Sequence, residues 1–400
     1  MSDTVAVIKL KKQEDKRIRA GHLWVYSNEI DTLATPVKEL VPGSRCEVQD
    51  SGGKSLGVGY VNPHSLIAVR LLSRNADASI SQAWVRQRLE QALALREVCF
   101  SEPCYRWVYG DADGLPGLVV DRFGDYVVMQ LNTAGMELLK ADLVAAVESV
   151  VQPKGILLRC DSAAREAEGL TLYVEVAAGQ WPEKLTVKEN GVTFEVSAEE
   201  GQKTGWFYDH RDNRARLKGL AKGRAVLDVF SYVGGWGLQC LAGGATSLDA
   251  VDGSGPALDW LDHNARLNGF SQPVNTYQGN AFDVLKHLLE DKRRYDVVVM
   301  DPPAFIKRKK DFKNGLQAYT RMNELALRLL NPGGILVSAS CSMHLPEEAL
   351  MDVIRKTARH VDRHVSVFAQ GTQGMDHPVH PAIPETRYLK ALFCRVTRSL

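Results

Sequence analysis

The chain has 400 residues, of which 45% are hydrophobic and 24% are charged, and its formal net charge is +1. These values exclude a mainly disordered chain, and at roughly 150 residues per domain they predict two or three globular domains. No apolar run reaches the ~18 residues of a membrane-spanning helix, so we expect no membrane partner. The N-terminal charges follow a short apolar stretch, which is the reverse of a secretory signal.

The seven cysteines are scattered, their number is odd, and no two of them form a C-x-x-C pair. This pattern excludes a zinc ribbon, gives no reason to predict a metal site, and indicates reduced thiols in a cytoplasmic protein. Because a net charge near zero says nothing about partners, the distribution of the charges matters more than their sum.

The first half of the chain predicts two small domains. Residues 1–75 alternate short apolar runs with Gly, Asn and Pro, and they predict a small β-barrel or sandwich. Residues 76–185 predict a mixed α+β domain. Helical periodicity covers 79–99 and 135–151, two strand-like runs lie within 105–131, and 155–159 is extended.

Residues 186–400 alternate short apolar strands with longer helices, which predicts a parallel sheet covered on both faces. The predicted strands are 225–230, 247–252, 274–278, 295–301 and 334–340, and the predicted helices include 256–270 and 314–331. No helix separates the last two predicted strands, so we expect an antiparallel hairpin at one sheet edge from 364–371 and 388–397.

The first two of these strands end in residues that suit a ligand. After AVLDVF come Gly234, Gly235 and Gly237, which would let a ligand approach the backbone beside the N–H groups of the next helix. The alternative is a tight turn of any α/β fold. Asp252 ends the second strand and can accept both hydroxyls of a ribose, or it is a helix N-terminal acid beside a Ser254 cap.

The third and fourth strands end in a similar way. In GNAFDVL (279–285), Asn280 and the Ala281 N–H can read an adenine edge while Phe282 packs on the ring, unless Asn280 is a helix cap and Phe282 a core residue. In VMDPPAF (299–305), two prolines stiffen a loop that can present Asp301 to a planar group.

The fifth strand ends in SASCSMH (338–344) and lies beside the fourth in a doubly wound sheet. A lone cysteine is usually an inert small hydrophobe, but Cys341 would here face Asp301 across a crevice. Before the first strand, EEGQKTGWFYDHRDNR (199–214) concentrates aromatic and ionisable residues at a density that indicates a ligand-facing loop.

Two basic segments predict contacts with nucleic-acid phosphates. The first follows the DPPAF loop and consists of Lys307, Arg308, Lys309, Lys310 and Lys313. The second lies near the N-terminus and includes Lys11, Lys12 and Arg17. The alternative for both is a solvated charged surface.

Taken together, these motifs resemble the large-subunit ribosomal RNA methyltransferase I family of cytosine-5 enzymes. QKTGWFYDHRDNR, VLDVFSYVGG, DPPAF and SASCS match its pattern, as do GHLWVYSNEI (21–30) and DGLPGLVVDRFGD (113–125). The resemblance implies an α/β fold: a seven-stranded, Rossmann-like class I methyltransferase domain at 186–400, an N-terminal PUA β-barrel at 1–75 and a small central α+β domain at 76–185. The implied cofactor is S-adenosylmethionine and the implied partner is large-subunit ribosomal RNA.

The predicted cofactor-binding residues are Lys203, Thr204, Arg211, Phe230, Ser231, Tyr232, Gly234, Gly235, Asp252, Gly253, Ser254, Asn280, Ala281, Phe282 and Asp301. For catalysis we expect the Cys341 thiolate to add to the cytosine ring, and Asp301 to donate a proton or hydrogen bond to the ring nitrogen if burial raises its pKa. Asn280 and Ala304 depart from the family pattern, where Asp and Lys are usual. The base that removes the carbon 5 proton is not identified by the sequence.

Three alternatives remain open at this point. An RNA methyltransferase acting on guanine would not need a thiol at position 341. A non-catalytic RNA-binding assembly factor would keep the fold without transferring methyl groups. A nicotinamide-dependent oxidoreductase lacks support, because no G-x-G-x-x-G is in register. A homodimer through the exposed edge hairpin is also compatible with the sequence.

Overall fold

The computed structural model describes residues 5–198 and 204–399. They form two compact units. The first comprises the described parts of Met1–Leu185, Ser197–Trp206 and Met375–Thr386, and the second comprises Thr186–Val196, Phe207–Gly374 and the described part of Arg387–Leu400. The three predicted domains therefore stay a prediction.

The N-terminal sheet of the first unit has five strands in the order β1-β3-β4-β5-β2. Their bounds are β1 Ala6–Lys9, β2 Trp24–Tyr26, β3 Arg45–Gln49, β4 Ser55–Val61 and β5 Ile67–Ser73, with helix α1 at Lys16–Arg19. A bridge between Leu10 and Ile30 brings the segment after β2 against the end of β1. The sheet therefore curls around its own apolar core, as a small barrel does.

The second sheet of this unit has the order β10-β9-β8-β7-β6 and packs against helices. Its elements are α2 Gln82–Cys99, β6 Cys104–Tyr109, β7 Leu118–Phe123, β8 Tyr126–Leu131, α3 Ala134–Leu138, α4 Lys140–Val151, β9 Gly155–Cys160, α5 Ala163–Ala167 and β10 Tyr173–Gly179. The prediction of two strands within 105–131 was one strand short. The tight turn at Gly124, with φ +64°, divides the second run into two paired strands.

A two-stranded hairpin follows, formed by β11 Lys184–Glu189 and β12 Val192–Ser197. Asn190 and Gly191, with φ of 53° and 75°, supply the two left-handed residues that a type I′ turn requires. Helix α6 then spans Arg211–Lys218.

The second unit is built on a seven-stranded sheet in the order β15-β14-β13-β16-β17-β19-β18. Strands β13 to β17 run parallel, as the apolar runs predicted. The elements are β13 Ala225–Val229, α7 Gly237–Ala242, β14 Ser247–Asp252, α8 Gly255–Leu267, β15 Val274–Gln278, α9 Ala281–Glu290, β16 Tyr295–Met300, α10 Phe312–Leu329, β17 Leu330–Ser340, α11 Glu347–His360, β18 Arg363–Gly371 and β19 Lys390–Arg398.

The last two strands confirm the predicted hairpin. β19 pairs antiparallel with both β17 and β18, and β18 forms the edge.

The helices cover the sheet through apolar stripes. In α10, Tyr319, Met322 and Ala326 are buried at helical spacing in the main core. Among the described helices, none is both long and apolar enough to cross a membrane.

Candidate active site

The candidate site lies at the carboxyl edge of the seven-stranded sheet. The strand order reverses between β13 and β16, and open α/β sheets bind ligands at such a reversal, outside the carboxyl ends of their strands. The loops after β13, β14, β16 and β17 end next to one another at this edge. They contain most of the predicted cofactor-binding and catalytic residues.

The loop after β13 is held in a strained conformation. Phe230 and Tyr232 have φ of 66° and 49°, which is rare for residues with a side chain. Two backbone donors hold the loop: Phe230 N donates to Val251 O at 2.8 Å, and Tyr232 N donates to Oδ2 of Asp252 at 2.9 Å. Backbone strain of this kind costs of order 1–3 kcal/mol per residue and concentrates at functional sites.

Close packing by protein side chains explains why glycine occupies two positions of this loop. A Cβ on Gly234, where φ is +91°, would lie 2.8 Å from Leu238 and 2.9 Å from Leu261, and one on Gly237 would lie 2.6 Å from Leu248. Protein side chains therefore leave no room for a Cβ at these two positions, and the approach of a ligand to this loop stays a prediction. Packing and backbone conformation require these glycines.

Asp228 is a site residue that the sequence analysis missed. Its side chain is fully buried, Oδ2 accepts a hydrogen bond from Gly237 N at 2.8 Å, and Oδ1 has no hydrogen-bond partner among the described residues. The expectation that N–H groups at the start of α7 are available to a ligand is therefore wrong for Gly237. Burial raises the pKa of Asp228 to about 7, and the negative charge of Asp301 adds to this effect. An acid within the apolar strand AVLDV was the available signal.

Asp252 has the contacts of a helix N-terminal acid, and its predicted role as a ribose ligand stays a prediction. Oδ2 accepts from Tyr232 N and Oδ1 accepts from Ser254 N, each at 2.9 Å. Ser254 caps α8, since its hydroxyl accepts from Ala257 N at 3.3 Å. Each carboxylate oxygen keeps a further lone pair, so the pair of ribose hydroxyls remains a suitable ligand. Gly253 between them is exposed.

Asn280 is the N-cap of α9, because its Oδ1 accepts from Phe282 N at 3.0 Å. Its side chain is exposed, while Ala281 is buried. The half-buried Phe282 packs against the core, and the guanidinium of Arg321 lies 4.8 Å above its ring. The cap interpretation is therefore confirmed, and a contact of these three residues with an adenine ring remains a prediction.

Asp301 follows β16, and its two oxygens have different partners. Nε2 of His210 lies 3.2 Å from Oδ1, and Nε1 of Trp236 donates to Oδ2 at 3.0 Å. His210 is buried and its ring lies 5.1 Å from that of Trp236, centroid to centroid. The sequence analysis singled out the segment that contains His210, but it named neither residue as a partner of Asp301.

The charges of His210 and Asp301 stabilise each other. Burial disfavours both charges, but their attraction and the Trp236 hydrogen bond outweigh it, so the pKa of Asp301 is lowered and the pKa of His210 is raised. The expectation that burial raises the pKa of Asp301 is therefore wrong. Asp301 is an ionised acceptor, and His210 carries the proton of the pair. The side-chain amide of Asn213 holds the ring, lying 3.2 Å from Nδ1.

Cys341 lies just past β17 and is half-buried. Its Sγ is 4.0 Å from the carbonyl oxygen of Pro302, the residue after Asp301, so the fourth and fifth strands do bring their loops together. Five other cysteines are buried, and burial raises the pKa of Cys46 and Cys394 to about 12. The remaining half-buried cysteine, Cys99, is in the first unit.

The two loops are also tied together by hydroxyl groups. The phenol of Tyr319 lies 2.7 Å from Oγ of Ser340 and 3.0 Å from Oγ of Ser342, and Ile306 N donates to Ser342 Oγ at 3.1 Å. Cys341 sits between the two serines. Its backbone is therefore fixed against the loop that carries Asp301.

Lys390, at the start of β19, is a second residue that the sequence analysis missed. Its Nζ donates to the carbonyl oxygens of Ser342 at 2.6 Å and of Tyr388 at 2.8 Å. Burial lowers its pKa to about 8, an effect that Cys341 partly offsets through its charge. An amine with this pKa can hold or release a proton near neutral pH.

The segment 199–214 is divided between different environments. Lys203 lies outside the described residues. Thr204 belongs to the first unit, and its hydroxyl donates a hydrogen bond to the Asp121 carboxylate at 2.5 Å. The same carboxylate forms an ion pair with Arg106. The predicted cofactor contact of Thr204 stays a prediction.

Arg211 also departs from the prediction. Its Nε lies 3.7 Å from the buried carboxylate of Glu189, which Arg214 contacts at 2.7 Å. The Arg211 guanidinium is thus part of a buried charge cluster, because a carboxylate this far from water needs cationic partners. The sequence could not reveal this pairing, since Arg211 begins helix α6 while Glu189 ends strand β11 of the preceding hairpin.

The basic segment after the DPPAF loop is exposed, and its contact with RNA phosphates stays a prediction. Lys307, Lys309, Lys310 and Lys313 are exposed, and Arg308 pairs with Asp311 at 3.1 Å.

The N-terminal segment is less available than predicted. Lys12 is exposed and Lys11 donates to Asn28 O at 2.8 Å, but Arg17 pairs with Glu29 at 2.6 Å. Arg17 also lies 4.8 Å above the Tyr26 ring. The Glu29 carboxylate therefore offsets the charge of Arg17, and a contact of Arg17 with RNA stays a prediction.

Comparison with protein-family models and solved structures agrees with this fold. A PUA-like domain model matches residues 8–74, and a model described as S-adenosylmethionine-dependent methyltransferase matches residues 166–395. Two solved structures share 19% identity with the chain and cover 98% of it. One is a Streptococcus mutans protein classed with the SAM-dependent methyltransferases, with TM-score 0.82, and the other is a methyltransferase-class protein complexed with SAH, with TM-score 0.83. At this identity they show the fold alone.

Curated relatives are similar over nearly the full length. Proteins named Ribosomal RNA large subunit methyltransferase I from Alteromonas mediterranea and Erwinia tasmaniensis are both 35% identical over 98% of this chain, covering 99% and 100% of their own lengths. The protein of the same name from Photobacterium profundum is 36% identical over 97% of this chain and 99% of its own. The chain is therefore an S-adenosylmethionine-dependent methyltransferase with a PUA-like domain, and it belongs to the ribosomal RNA large subunit methyltransferase I family.

Proposed function

We propose that this protein transfers a methyl group from S-adenosylmethionine to carbon 5 of a cytosine in large-subunit ribosomal RNA, through a covalent bond to Cys341. The names of the full-length relatives support the RNA substrate. The Cys341 sulfur lies 4.0 Å from the carbonyl oxygen of Pro302, the residue after Asp301. This position of the sulfur is the observation that carries the proposal of a cytosine-5 reaction. This substrate implies a cytoplasmic location.

The residues at the sheet edge fit the cofactor. Asp252 has lone pairs for two ribose hydroxyls, and the buried Oδ1 of Asp228 has no hydrogen-bond partner among the described residues, as a site for an ammonium group would require. The strained loop at Phe230 and Tyr232 lies between these two carboxylates in the chain. When bound, the cofactor supplies an electrophilic methyl group on a sulfonium.

Carbon 5 of cytosine is a weak nucleophile, and Cys341 supplies the activation. Its thiolate adds to the neighbouring ring carbon, carbon 6, so that a carbon–sulfur bond forms and electron density moves to carbon 5. The hydrogen bonds of Ser340 and Ser342 to the Tyr319 phenol hold the backbone on both sides of Cys341, and so position its sulfur against the DPPAF loop. Such positioning is worth several kcal/mol of barrier.

Asp301 supplies a polar contact to the cytosine ring, and His210 supports Asp301. Because the pKa of Asp301 is lowered, its carboxylate accepts a hydrogen bond, and the cytosine amino group is a suitable donor. His210 stabilises that carboxylate from 3.2 Å, while its other ring nitrogen faces Asn213. This assignment replaces the protonated Asp301 that the sequence suggested.

Lys390 is our candidate for the base that completes the reaction. Two of its three nitrogen positions face carbonyl oxygens, which leaves one position for a lone pair in the neutral amine. After methylation the neutral amine takes the proton from carbon 5. The electrons of that C–H bond restore the ring double bond, and the carbon–sulfur bond breaks with its electron pair on Cys341.

The exposed basic segment at 307–313 is proposed to contact RNA phosphates next to this site. The target base would be flipped out of its stack to reach Cys341, as enzymes that act on bases require.

A homodimer through the edge strand β18 also remains a proposal, and light scattering at increasing concentration tests it.

The test is transfer of a tritium-labelled methyl group to large-subunit rRNA, followed by nucleoside mass analysis. We expect 5-methylcytidine, complete loss of transfer in Cys341→Ala with cofactor binding retained, and normal transfer in the matched control Cys99→Ala. A methylated guanine, or full turnover by Cys341→Ala, would refute the cytosine mechanism. Cofactor binding without transfer to any RNA would favour an assembly factor.

A further inference from the structure

A cavity of about 550 Å³ lies within the first unit. Its floor is apolar, with Leu23, Leu71 and Leu72 among the lining residues. The rim is polar and includes Arg74 and Arg88. A volume of a few hundred Å³ with an apolar floor and a few convergent polar groups is typical of a ligand site.

The two arginines are positioned but not neutralised. Arg88 lies 5.2 Å above the Trp84 ring and donates to Gln91 at 3.3 Å, and Arg74 donates to Ile18 O at 3.3 Å. Within residues 5–198 and 204–399, neither guanidinium forms an ion pair with a carboxylate. Each keeps most of its five N–H donors for another partner.

The carboxylates at this cavity are occupied by other groups. Asp113 is bonded by both terminal nitrogens of Arg96 at 2.7 Å, and Asp111 accepts from Nε1 of Trp24 at 2.6 Å. They therefore leave Arg74 and Arg88 without an internal counter-ion.

His380 adds a third donor from a distant part of the sequence. Its Nδ1 accepts a hydrogen bond from Ala382 N at 3.2 Å, so the proton of the neutral ring is on Nε2. The cavity thus gathers a guanidinium from the residue after β5, a second guanidinium from α2 and an imidazole N–H from the segment Met375–Thr386. An anion with an attached flat apolar group matches this lining.

We propose that this cavity binds one nucleotide of the RNA substrate, with its phosphate on Arg74 and Arg88 and its base over the leucine floor. The inference rests on the proposed function, because it assumes that the substrate is RNA. It places an RNA contact in the first unit, separate from the basic segment at 307–313. Bidentate arginine contacts to phosphate are common in RNA recognition.

The test measures binding of a large-subunit rRNA transcript to the full-length protein at several salt concentrations. Arg74→Gln and Arg88→Gln should each weaken binding about three- to tenfold and reduce the slope of log affinity against log salt by about one. The matched control is Arg86→Gln, on the same helix α2, because Arg86 is exposed and pairs with Glu90 at 3.6 Å. Binding of S-adenosylhomocysteine, whose proposed site lies in the other unit, checks that each variant is folded.

The outcomes separate this inference from the proposed function. If both variants bind RNA like Arg86→Gln while the wild type methylates rRNA, the cavity is not an RNA site and the proposed function stands. If the wild type binds no RNA, both fail. Should Arg88→Gln not fold, Arg74→Gln carries the test alone, since Arg74 is exposed. Cross-links from a 4-thiouridine-labelled transcript to residues 71–74 or 88–92 would support the proposal directly.

Discussion

Nε2 of His210 lies 3.2 Å from Oδ1 of Asp301, and His210 is buried while Asp301 is partly exposed. This pairing determines which of the two carries a proton. The His210 charge lowers the pKa of Asp301, and the Asp301 charge raises the pKa of His210. The pair therefore presents an ionised carboxylate acceptor at the end of β16.

Removing His210 should shift the acid limb of the pH–rate profile. In His210→Gln the burial of Asp301 remains while its cationic partner is lost, so the pKa of Asp301 rises and activity disappears at a higher pH than in the wild type. We expect at least a tenfold lower single-turnover rate near neutral pH. The measurement is methyl transfer to rRNA across pH.

His263→Gln is the matched control for this variant. His263 also lies 2.7 Å from a carboxylate, that of Glu195, but on α8 and half exposed. Its removal should leave the acid limb unchanged. An unshifted limb in His210→Gln would contradict the assignment of Asp301 as the ionised acceptor.

Asp228→Asn should stabilise the cofactor-free protein while weakening cofactor binding. The pKa of Asp228 is raised from 3.8 to about 7, so between these values the folded protein holds a proton that the unfolded chain has released. Stability therefore falls as pH rises through this window and stays low above pH 7. The neutral amide avoids this cost, and we expect a gain of about 2 kcal/mol at pH 8, after allowing for its own buried N–H.

Thermal unfolding at several pH values, with and without S-adenosylhomocysteine, checks this prediction. The difference between variant and wild type should shrink as pH falls toward 3.8, because only below that value is Asp228 mostly protonated in the unfolded chain as well as in the folded protein. Affinity for the cofactor should fall at least tenfold. A variant less stable than the wild type at pH 8, or one with unchanged affinity, would show that the unpartnered oxygen has another role.

The sequence predicted the sheet well because its signals are local. The strands at 247–252 and 274–278 agree with the structure to the residue, since apolar runs between turns identify buried parallel strands. The proximity of Cys341 to Pro302 followed from strand order alone. The partners of side chains before β13 could not be predicted in this way.

His210 and Arg211 show why this was so. They are adjacent in the sequence, yet His210 contacts Asp301 while Arg211 lies against Glu189. Such pairings depend on which buried charge each side chain meets after folding, and no spacing rule encodes that. The same reasoning explains Arg17, whose charge Glu29 neutralises.

The exposed lysines of the basic segment should contribute to RNA affinity without affecting the chemical step. Lys309→Ala with Lys310→Ala should weaken rRNA binding about tenfold and lower the salt slope by about one to two, because each phosphate contact releases a counter-ion. Transfer at saturating RNA should stay close to the wild-type rate. Filter binding across salt concentrations provides the measurement.

Lys356→Ala is the control for the basic segment. Lys356 is an exposed lysine of α11 that pairs with Asp352 at 2.6 Å. Its loss should leave the salt slope unchanged. If the double variant binds rRNA as tightly as this control, the segment is a solvated surface rather than an RNA contact.

Lys390→Arg should block the last step of the reaction without blocking the first. The arginine keeps a positive charge beside Cys341 but cannot deprotonate at accessible pH, so it cannot accept the carbon 5 proton. We therefore expect the carbon–sulfur adduct to form and persist, visible as a protein–RNA complex that survives denaturing electrophoresis. In the wild type, release should become faster as pH rises through about 8, where the neutral amine becomes the major form.

Lys218→Arg provides the matched control, since Lys218 also donates to a carbonyl oxygen, that of Asn190 at 2.5 Å, within the same unit. It should turn over normally and accumulate no adduct. Normal turnover by Lys390→Arg would exclude Lys390 as the base. Loss of transfer without any adduct would instead indicate that Lys390 acts earlier, on the ionisation of Cys341. Measuring the alkylation rate of Cys341 against pH separates these two roles, because only the second changes the thiol's own titration.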